Sequence, residues 1–429
     1  MESEWHAIDL GELGEFRNGI NFSRDEKGGD GDTALRLINV KDLYTDTPFI
    51  NLLSLDKITL RTNKNLDRYK VKSGDIFFAR SSVKRDGVGV VSMAKHADEG
   101  ALHCGFVIRF RLVRDDVDRV FLSYLLRSPD YRARITNLSG GAAITNISQD
   151  SLRGLSVRLP PTRQQERVAA ILSAYDDLIE NNLRRIKILE EMAQNLYREW
   201  FVKFRFPGQS QVRMVDSPLG EIPEGWEVNA LGDLVSTQYG YTESAQDKPI
   251  GPRYLRGKDI NKTTYIDWDS VPYCPIKDGQ RPKYKLYKGD ILIIRMADPG
   301  KVGIVEKEVE AVFASYLVRL SRKTDRIGAY YLFHLLIGER YQDYITGAST
   351  GTTRKSASAG VLTGIDVLVP PESLLKDFES KVQTIRQLLN NLIERNNNLR
   401  QTRDLLLPKL ISGELDVSTL PIDTGQEAA

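Results

Sequence analysis

The sequence predicts an α/β (α+β) chain in which two pseudo-repeated mixed-sheet domains are separated by two long antiparallel coiled-coil helices. Three observations predict it: one unit is written twice, apolar strand segments follow matching Gly-Asp turns, and two apolar seams recur at helical spacing.

The repeat comes first. Trp5, Leu10, Gly11 and Leu13 match Trp226, Leu231, Gly232 and Leu234 at an offset of 221 (226 − 5). Lys41-Asp42-Leu43 matches Lys258-Asp259-Ile260 at 217 (258 − 41). YKVKSGDIFFAR (69–80) matches YKLYKGDILIIR (284–295) at 215 (284 − 69), and Gly89-Val90-Val91 matches Gly303-Ile304-Val305 at 214 (303 − 89). VIRF (107–110) matches LVRL (317–320), and LSVRLPP (155–161) matches IDVLVPP (365–371), both at 210 (317 − 107). The offset shrinks in small steps, as when loops change length on a persistent scaffold.

Within each half, GDIFFAR and GDILIIR read as buried strands after a turn. VFLSYLLRSPDYRARI and YYLFHLLIGERYQDYI read as amphipathic helices. A closing strand then meets Pro160-Pro161 or Pro370-Pro371, and proline suits the first turn of the helix that follows.

The helices are predicted from periodicity. Val168, Ile171, Tyr175, Leu178, Asn182, Arg185, Leu189, Met192 and Leu196 form one seam. Val382, Ile385, Leu389, Leu392, Asn396, Leu399, Arg403, Leu406 and Leu410 form the other, at a constant offset of 214 (382 − 168). Each helix of some 40 residues would span about 60 Å. An Asn in a seam fixes register at a cost in stability, so Asn182 and Asn396 are expected to meet near a pseudo-twofold axis. Leu189, Leu196, Leu399 and Leu406 are expected to pair the helices, with Arg185 facing the seam where Leu399 does in the other copy, and Leu189 where Arg403 does. These readings divide the chain into a first domain (1–161), a first spacer helix (162–206), a second domain (207–371), a second spacer helix (372–413) and a tail (414–429).

Composition bounds the rest. Hydrophobic residues make up 41% and charged residues 28%, as in globular proteins. No apolar run reaches the length of a membrane span, and the first residues carry no secretory h-region. Two cysteines, Cys104 and Cys274, at unlike positions argue against a disulfide framework and fit a cytoplasmic setting. The net charge of +2, from 60 basic and 58 acidic residues, neither demands nor forbids nucleic acid.

Residues for chemistry are not evident. The sequence has no GxxxxGK[ST] phosphate loop, no GxGxxG fingerprint and no Asn/Asp-Pro-Pro-aromatic segment. His6, His96, His103 and His334 lack zinc-ligand spacing. His103 beside Cys104 reads as an ordinary strand pair, and Asp75 and Asp290 as turn residues. The expectation is a non-catalytic chain that holds no metal and no cofactor of its own.

A duplicated domain at the ends of a helical spacer can contact two sites on one extended partner, and double-stranded DNA repeats its grooves every ~34 Å. Here the sequence resembles a known family. LPPTRQQERVAAILSAYDDLIENNLRRIKILEEMAQNLYREWFVKF (159–204) resembles the central helix of type I restriction–modification specificity subunits. So do the paired GDI segments, the loops GGAAITNIS (140–148) and TGASTGT (346–352), and LLLPKLISGEL (405–415). The resemblance covers nearly the whole chain. The second Pro-Pro departs from the pattern, leading into ESLLKDFESK where the first leads into TRQQER.

The resemblance implies that residues 1–161 and 207–371 are target recognition domains, each reading half of a split DNA sequence. It implies methyltransferase subunits using S-adenosylmethionine as partners, and a restriction subunit using ATP and Mg2+. The apolar pair Trp200-Phe201 is a candidate dock for a partner, or else packs within the chain. A protein–protein scaffold on a passive spacer is the rival reading. A specificity subunit serving a stand-alone methyltransferase is a closer variant.

Two half-sites differ in sequence, so positions shared by the halves should be scaffold or phosphate contacts and differing loops should read bases. Arg80 and Arg295 are shared and become positioning candidates. The loops after them differ, SSVKRDG against MADPGK, which singles out Lys84 and Arg85 in the first half and Lys301 in the second. Arg354 and Lys355, Tyr239 and Tyr241, and Arg281 and Lys283 complete the candidates. Arginine can fork onto guanine, and either cation neutralises phosphate.

Overall fold

The computed structural model describes all residues except 1–4, 24–25, 27–32, 62–63, 97, 99, 141–144, 350–354 and 423–429. It divides into two compact units, residues 1–179 with 398–429, and residues 180–397.

In the first unit an antiparallel sheet runs in the order Gly14–Asn18, Val107–Leu112, Ile76–Ala79, Val91–Met93. In the second the order is Val235–Tyr239, Leu317–Arg322, Ile291–Ile294, Val302–Ile304. The matched sequence segments therefore occupy matched places. Arg36, Leu37 and Ile38 pair in parallel with residues 101–103, and Arg253–Leu255 does the same with Ala311–Phe313. His6–Asp9 pairs with Ser156–Leu159, and Glu227–Ala230 with Asp366–Val369.

The Gly-Asp turns explain why the central strands begin where they do. Gly74 and Gly289 have φ of +82° and +91°, a region that only glycine enters cheaply. The next carboxylate closes the turn by accepting from a backbone N–H, Lys72 to Asp75 at 2.7 Å and Tyr287 to Asp290 at 2.9 Å. The chain then enters Ile76–Ala79 or Ile291–Ile294, where every residue is buried.

The amphipathic segments after these sheets break in two. Arg119–Arg127 is followed by Pro129–Asn137, and Ala329–Ile337 by Glu339–Ala348. Ser128 sits at ψ 151°, outside helix, because the residue before a proline is pushed from the helical region. Gly338 breaks the second copy at ψ 152°.

The first long helix spans Thr162–Tyr197 and closes in a π turn at Arg198–Val202, short of residue 206. Phe204, at φ +56°, turns the chain away. The second runs Glu372–Ser412 through Pro408 and stops at Gly413, φ +79°. Within the first unit Asp176 pairs with Arg403, while Val168 and Leu172 share a core with Leu410 and Ile411. Within the second, Asn182 Nδ2 donates to Asn396 Oδ1 at 2.8 Å, and Ile186 packs with Leu389 and Leu392. Numbers rise on one helix as they fall on the other, so the helices are antiparallel in each unit.

The seam of the first helix needs a correction. Leu178 and Met192 are 52% and 50% exposed and Arg185 is exposed too. Ile179, Ile186 and Ala193, one position on, are buried instead. Leu178-Ile179 is an apolar pair, so spacing alone admits two stripes, and packing selects the second. Leu189, Leu196, Leu399 and Leu406 are half-buried at the margin of the packed face.

The Asn pair predicts a measurable asymmetry. Asn182→Leu removes the donor that Asn396 Oδ1 accepts from, at a site where both residues are buried. The single variant is expected to lose about 1–3 kcal/mol in urea denaturation, and Asn182→Leu/Asn396→Leu to recover most of it. Equal losses in single and double variants would refute a pairing role.

Candidate nucleic-acid interface

In the first unit the central strand delivers its chain to Arg80, whose carbonyl accepts from Ile147 N at 3.0 Å. Ser81–Ser82 then pairs with Thr145–Asn146. The next residues form a short 3-10 turn, Arg85–Gly87, with Lys84 at its N-cap. Lys84 and Arg85 are exposed, and among the described residues neither forms an ion pair. The loop beneath them is clamped. Tyr44 Oη donates to Gly87 O at 3.0 Å, and Arg132 Nη2 donates to Asp86 O at 2.9 Å, while Arg132 Nη1 reaches Gly89 O. Arg80 itself is half-buried and donates to Gly105 O at 3.2 Å, which makes it part of the frame.

The second unit repeats the plan with other residues. Met296–Ala297 pairs with Lys355–Ser356, setting Lys355 opposite Ala297. Arg295 accepts Ala357 N at its carbonyl, 2.9 Å, and lays its guanidinium 4.9 Å from the Tyr239 ring centroid. Tyr239 Oη in turn accepts from Ala359 N at 3.0 Å. Arg295, Tyr239 and Lys355 are thereby brought together, with exposed Lys301 further along the Arg295 loop. Arg354 lies outside the described residues.

Tyr241, Arg281 and Lys283 form a separate group around Tyr284. The Tyr241 and Tyr284 rings are 5.2 Å apart, and Lys283 Nζ lies 5.3 Å from the Tyr284 ring. Arg281 is ion-paired with Glu310, so its charge is already answered within the unit.

Trp200 and Phe201 do not form a dock. Both are buried in the core of the second unit, Phe201 lying 4.8 Å from the rings of both Tyr331 and Phe378. Phe201, Phe204 and Phe206 surround Trp226 at 5.8, 5.3 and 5.6 Å. The apolarity that suggested a partner surface is consumed where the helix meets the sheet domain.

Asp75, Asp290, Cys104, Cys274, His103 and His334 are all buried. Asp75 is buried and gripped by Arg111 through two hydrogen bonds of 2.6 and 2.7 Å. Burial raises the Asp290 carboxyl against the opposing pull of its backbone hydrogen bond from Tyr287 and of Arg319. Burial pushes the Cys104 thiol up and the Cys274 thiol up to about 11, away from thiolate. It lowers His103 to about 4 and His334 to about 3, so both rings are neutral near pH 7. Among the described residues no three His, Cys, Asp or Glu side chains are grouped to hold a metal ion, and no helix is long and apolar enough to cross a membrane.

Two further side chains occupy matched places in the halves. Phe106 and Tyr316 stand exposed just before the strands Val107–Leu112 and Leu317–Arg322. The VIRF/LVRL match, extended one residue upstream, would have found them. In the second unit a cleft of about 530 Å3 adjoins Tyr316 and is lined also by Arg256, Lys258, Asn261 and Met296.

Two units that repeat one strand-and-loop plan, each presenting basic side chains on a braced loop, define a duplicated recognition protein. Comparison with known proteins gives the family. Residues 2–191 match the type I restriction modification DNA specificity domain. The chain is 26% identical to the type I restriction enzyme MjaIX specificity subunit of Methanocaldococcus jannaschii, over 98% of this chain and 95% of that one. It is 30% identical to the StySPI specificity subunit of Salmonella potsdam, over 82% of this chain and 77% of that one. The fold is similar to that of the type I restriction–modification S subunit from M. genitalium, with a TM-score of 0.55 at 16% identity, covering 95% of this chain and 96% of that one. The chain belongs to the family of type I restriction enzyme specificity subunits.

Proposed function

We propose that this chain reads a bipartite duplex DNA target and brings methyltransferase and restriction subunits to it, without performing chemistry itself. One half of the target falls to residues 1–161 and the other to residues 207–371, the two target recognition domains. Residues 162–206 and 372–413 serve as spacers, and 414–429 as a tail. The partner subunits would supply S-adenosylmethionine, ATP and Mg2+ chemistry, in the cytoplasm.

The observation that carries this reading is the duplication itself. The central strands superpose in sequence and sheet order, whereas the loops that follow them differ in length and charge. A shared frame with divergent basic loops suits two half-sites of unlike sequence. Lys84 and Arg85 are the first-half readers, and Lys301, Arg354 and Lys355 the second-half readers. Arg80, Arg295 and Tyr239 position the loops. Tyr241, Arg281 and Lys283 are peripheral.

Methylation-aware sequencing of host DNA with the gene intact and deleted tests the function. A split motif, methylated only when the gene is present, is expected; persistence of every motif would overturn the reading. Binding of the methyltransferase complex to duplex DNA should also fall with salt, by about 0.9 log units of affinity per log unit of salt for each phosphate contacted. Lys84→Ala/Arg85→Ala is expected to reduce that slope by up to ~2 and to relax one half-site only. Salt-independent binding would point to the protein scaffold instead.

A further inference from the structure

The two exposed aromatics are held out by the same device. In the first unit Val107 N donates to Cys104 O at 2.9 Å, closing a turn with Phe106 at its third position. In the second, Leu317 N donates to Ala314 O at 2.9 Å, with Tyr316 at the third position. Each turn is tied to the adjacent arginine, Arg80 N to Phe106 O at 2.8 Å and Arg295 N to Tyr316 O at 2.9 Å. Each is backed by a glycine with no room for a side chain. A Cβ on Gly19 would lie 2.0 Å from Cys104 O, and one on Gly240 would lie 2.2 Å from Ala314 O. Gly19 and Gly240 are repeat partners at the offset of 221 (240 − 19).

The result is that Phe106 is 62% exposed and Tyr316 52% exposed on turns that are hydrogen-bonded on both sides. A single exposed aromatic on a protein surface needs no explanation. The same residue class at the same turn position of both units, behind a crowded glycine and beside the positioning arginine, does. The neighbouring sequence has diverged, Cys-Gly-Phe against Ala-Ser-Tyr, while the aromatic and its exposure persist.

We propose that Phe106 and Tyr316 make apolar contacts with base edges in a groove of duplex DNA, one in each half-site. This rests on the DNA-reading function proposed above. Thymine methyl groups and deoxyribose carbons present the apolar surface that an aromatic edge can meet. Because the position is shared, the contact seats each unit in its groove, and the differing basic loops read sequence around it.

The test uses the full chain with its methyltransferase subunits and a random-sequence duplex pool in which thymine is replaced by 5-iododeoxyuridine. On irradiation, crosslinks are expected in the peptides carrying Phe106 and Tyr316. Phe106→Leu should abolish the first and Tyr316→Leu the second, with thermal stability unchanged because both side chains are exposed. Phe106→Ala/Tyr316→Ala should weaken duplex binding by at least about tenfold without altering its salt slope, which separates an apolar contact from a phosphate contact. If the wild-type complex binds DNA with strong salt dependence but crosslinks elsewhere, and the variants bind unchanged, the aromatic contact is refuted and the DNA-reading function stands. If the wild-type complex shows no salt-dependent binding to duplex, both fall.

Discussion

Arg386→Met is expected to destabilise the second unit by about 3–5 kcal/mol, because it strips the partner from a buried carboxylate. Arg386 and Glu306 have side chains only 1% and 6% exposed, joined by hydrogen bonds of 2.8 and 2.6 Å. The guanidinium also donates to Thr264 O at 2.8 Å and lies 5.4 Å from the Phe333 ring. Methionine matches much of the volume but leaves Glu306 buried without its cation. The double variant Arg386→Met/Glu306→Leu should regain most of the loss, since apolar residues of similar volume often replace a buried ion pair without penalty. Denaturation followed by tryptophan fluorescence suits the measurement. Three of the four tryptophans, Trp200, Trp226 and Trp268, lie in this unit. A single-variant loss under ~1 kcal/mol, the value of an exposed pair, would mean that the pair is hydrated in solution.

Phe201→Ala should cost about 3–5 kcal/mol by opening a cavity among rings that cannot collapse onto one another. Phe201 contacts Trp226, Tyr331 and Phe378 at once, joining the end of the first long helix to the second sheet domain. The loss should appear in the chain alone. A Phe201→Ala protein of unchanged stability that failed to assemble with a methyltransferase subunit would restore the docking role that the structure removes.

Much of the fold was legible because the chain states it twice. The Gly-Asp turns, the buried strands behind them and the Pro-Pro helix starts each appear in both halves, so a weak local signal is read against an independent copy. What escaped was set by neighbours remote in sequence. Leu178 and Ile179 compete for the same seam, and only the opposing helix decides between them. Arg386 occupies the place of Leu172 in the other copy, and its burial depends on Glu306 and Thr264, which lie far away in sequence. Trp200 and Phe201 are apolar at a helix end, a pattern common to docks and to cores. The candidate interface was legible as loops but only partly as residues. Lys84, Arg85, Lys301 and Lys355 stand where the halves differ, whereas Phe106 and Tyr316 share only aromatic character and lie one residue outside the VIRF/LVRL match.

The composition of the two units has a consequence for how the chain is made. Residues 180–397 are continuous, so the second unit has its whole core once its own stretch has left the ribosome. The first unit is not continuous. Leu410 and Ile411 complete a core that Leu10 and Leu13 begin, and between them the entire second unit is synthesised. The strands made first must therefore wait, with part of their apolar surface uncovered, for the helix made last. In the order of birth the first unit is the younger one, and losing residues 398–422 would injure the beginning of the chain more than its middle.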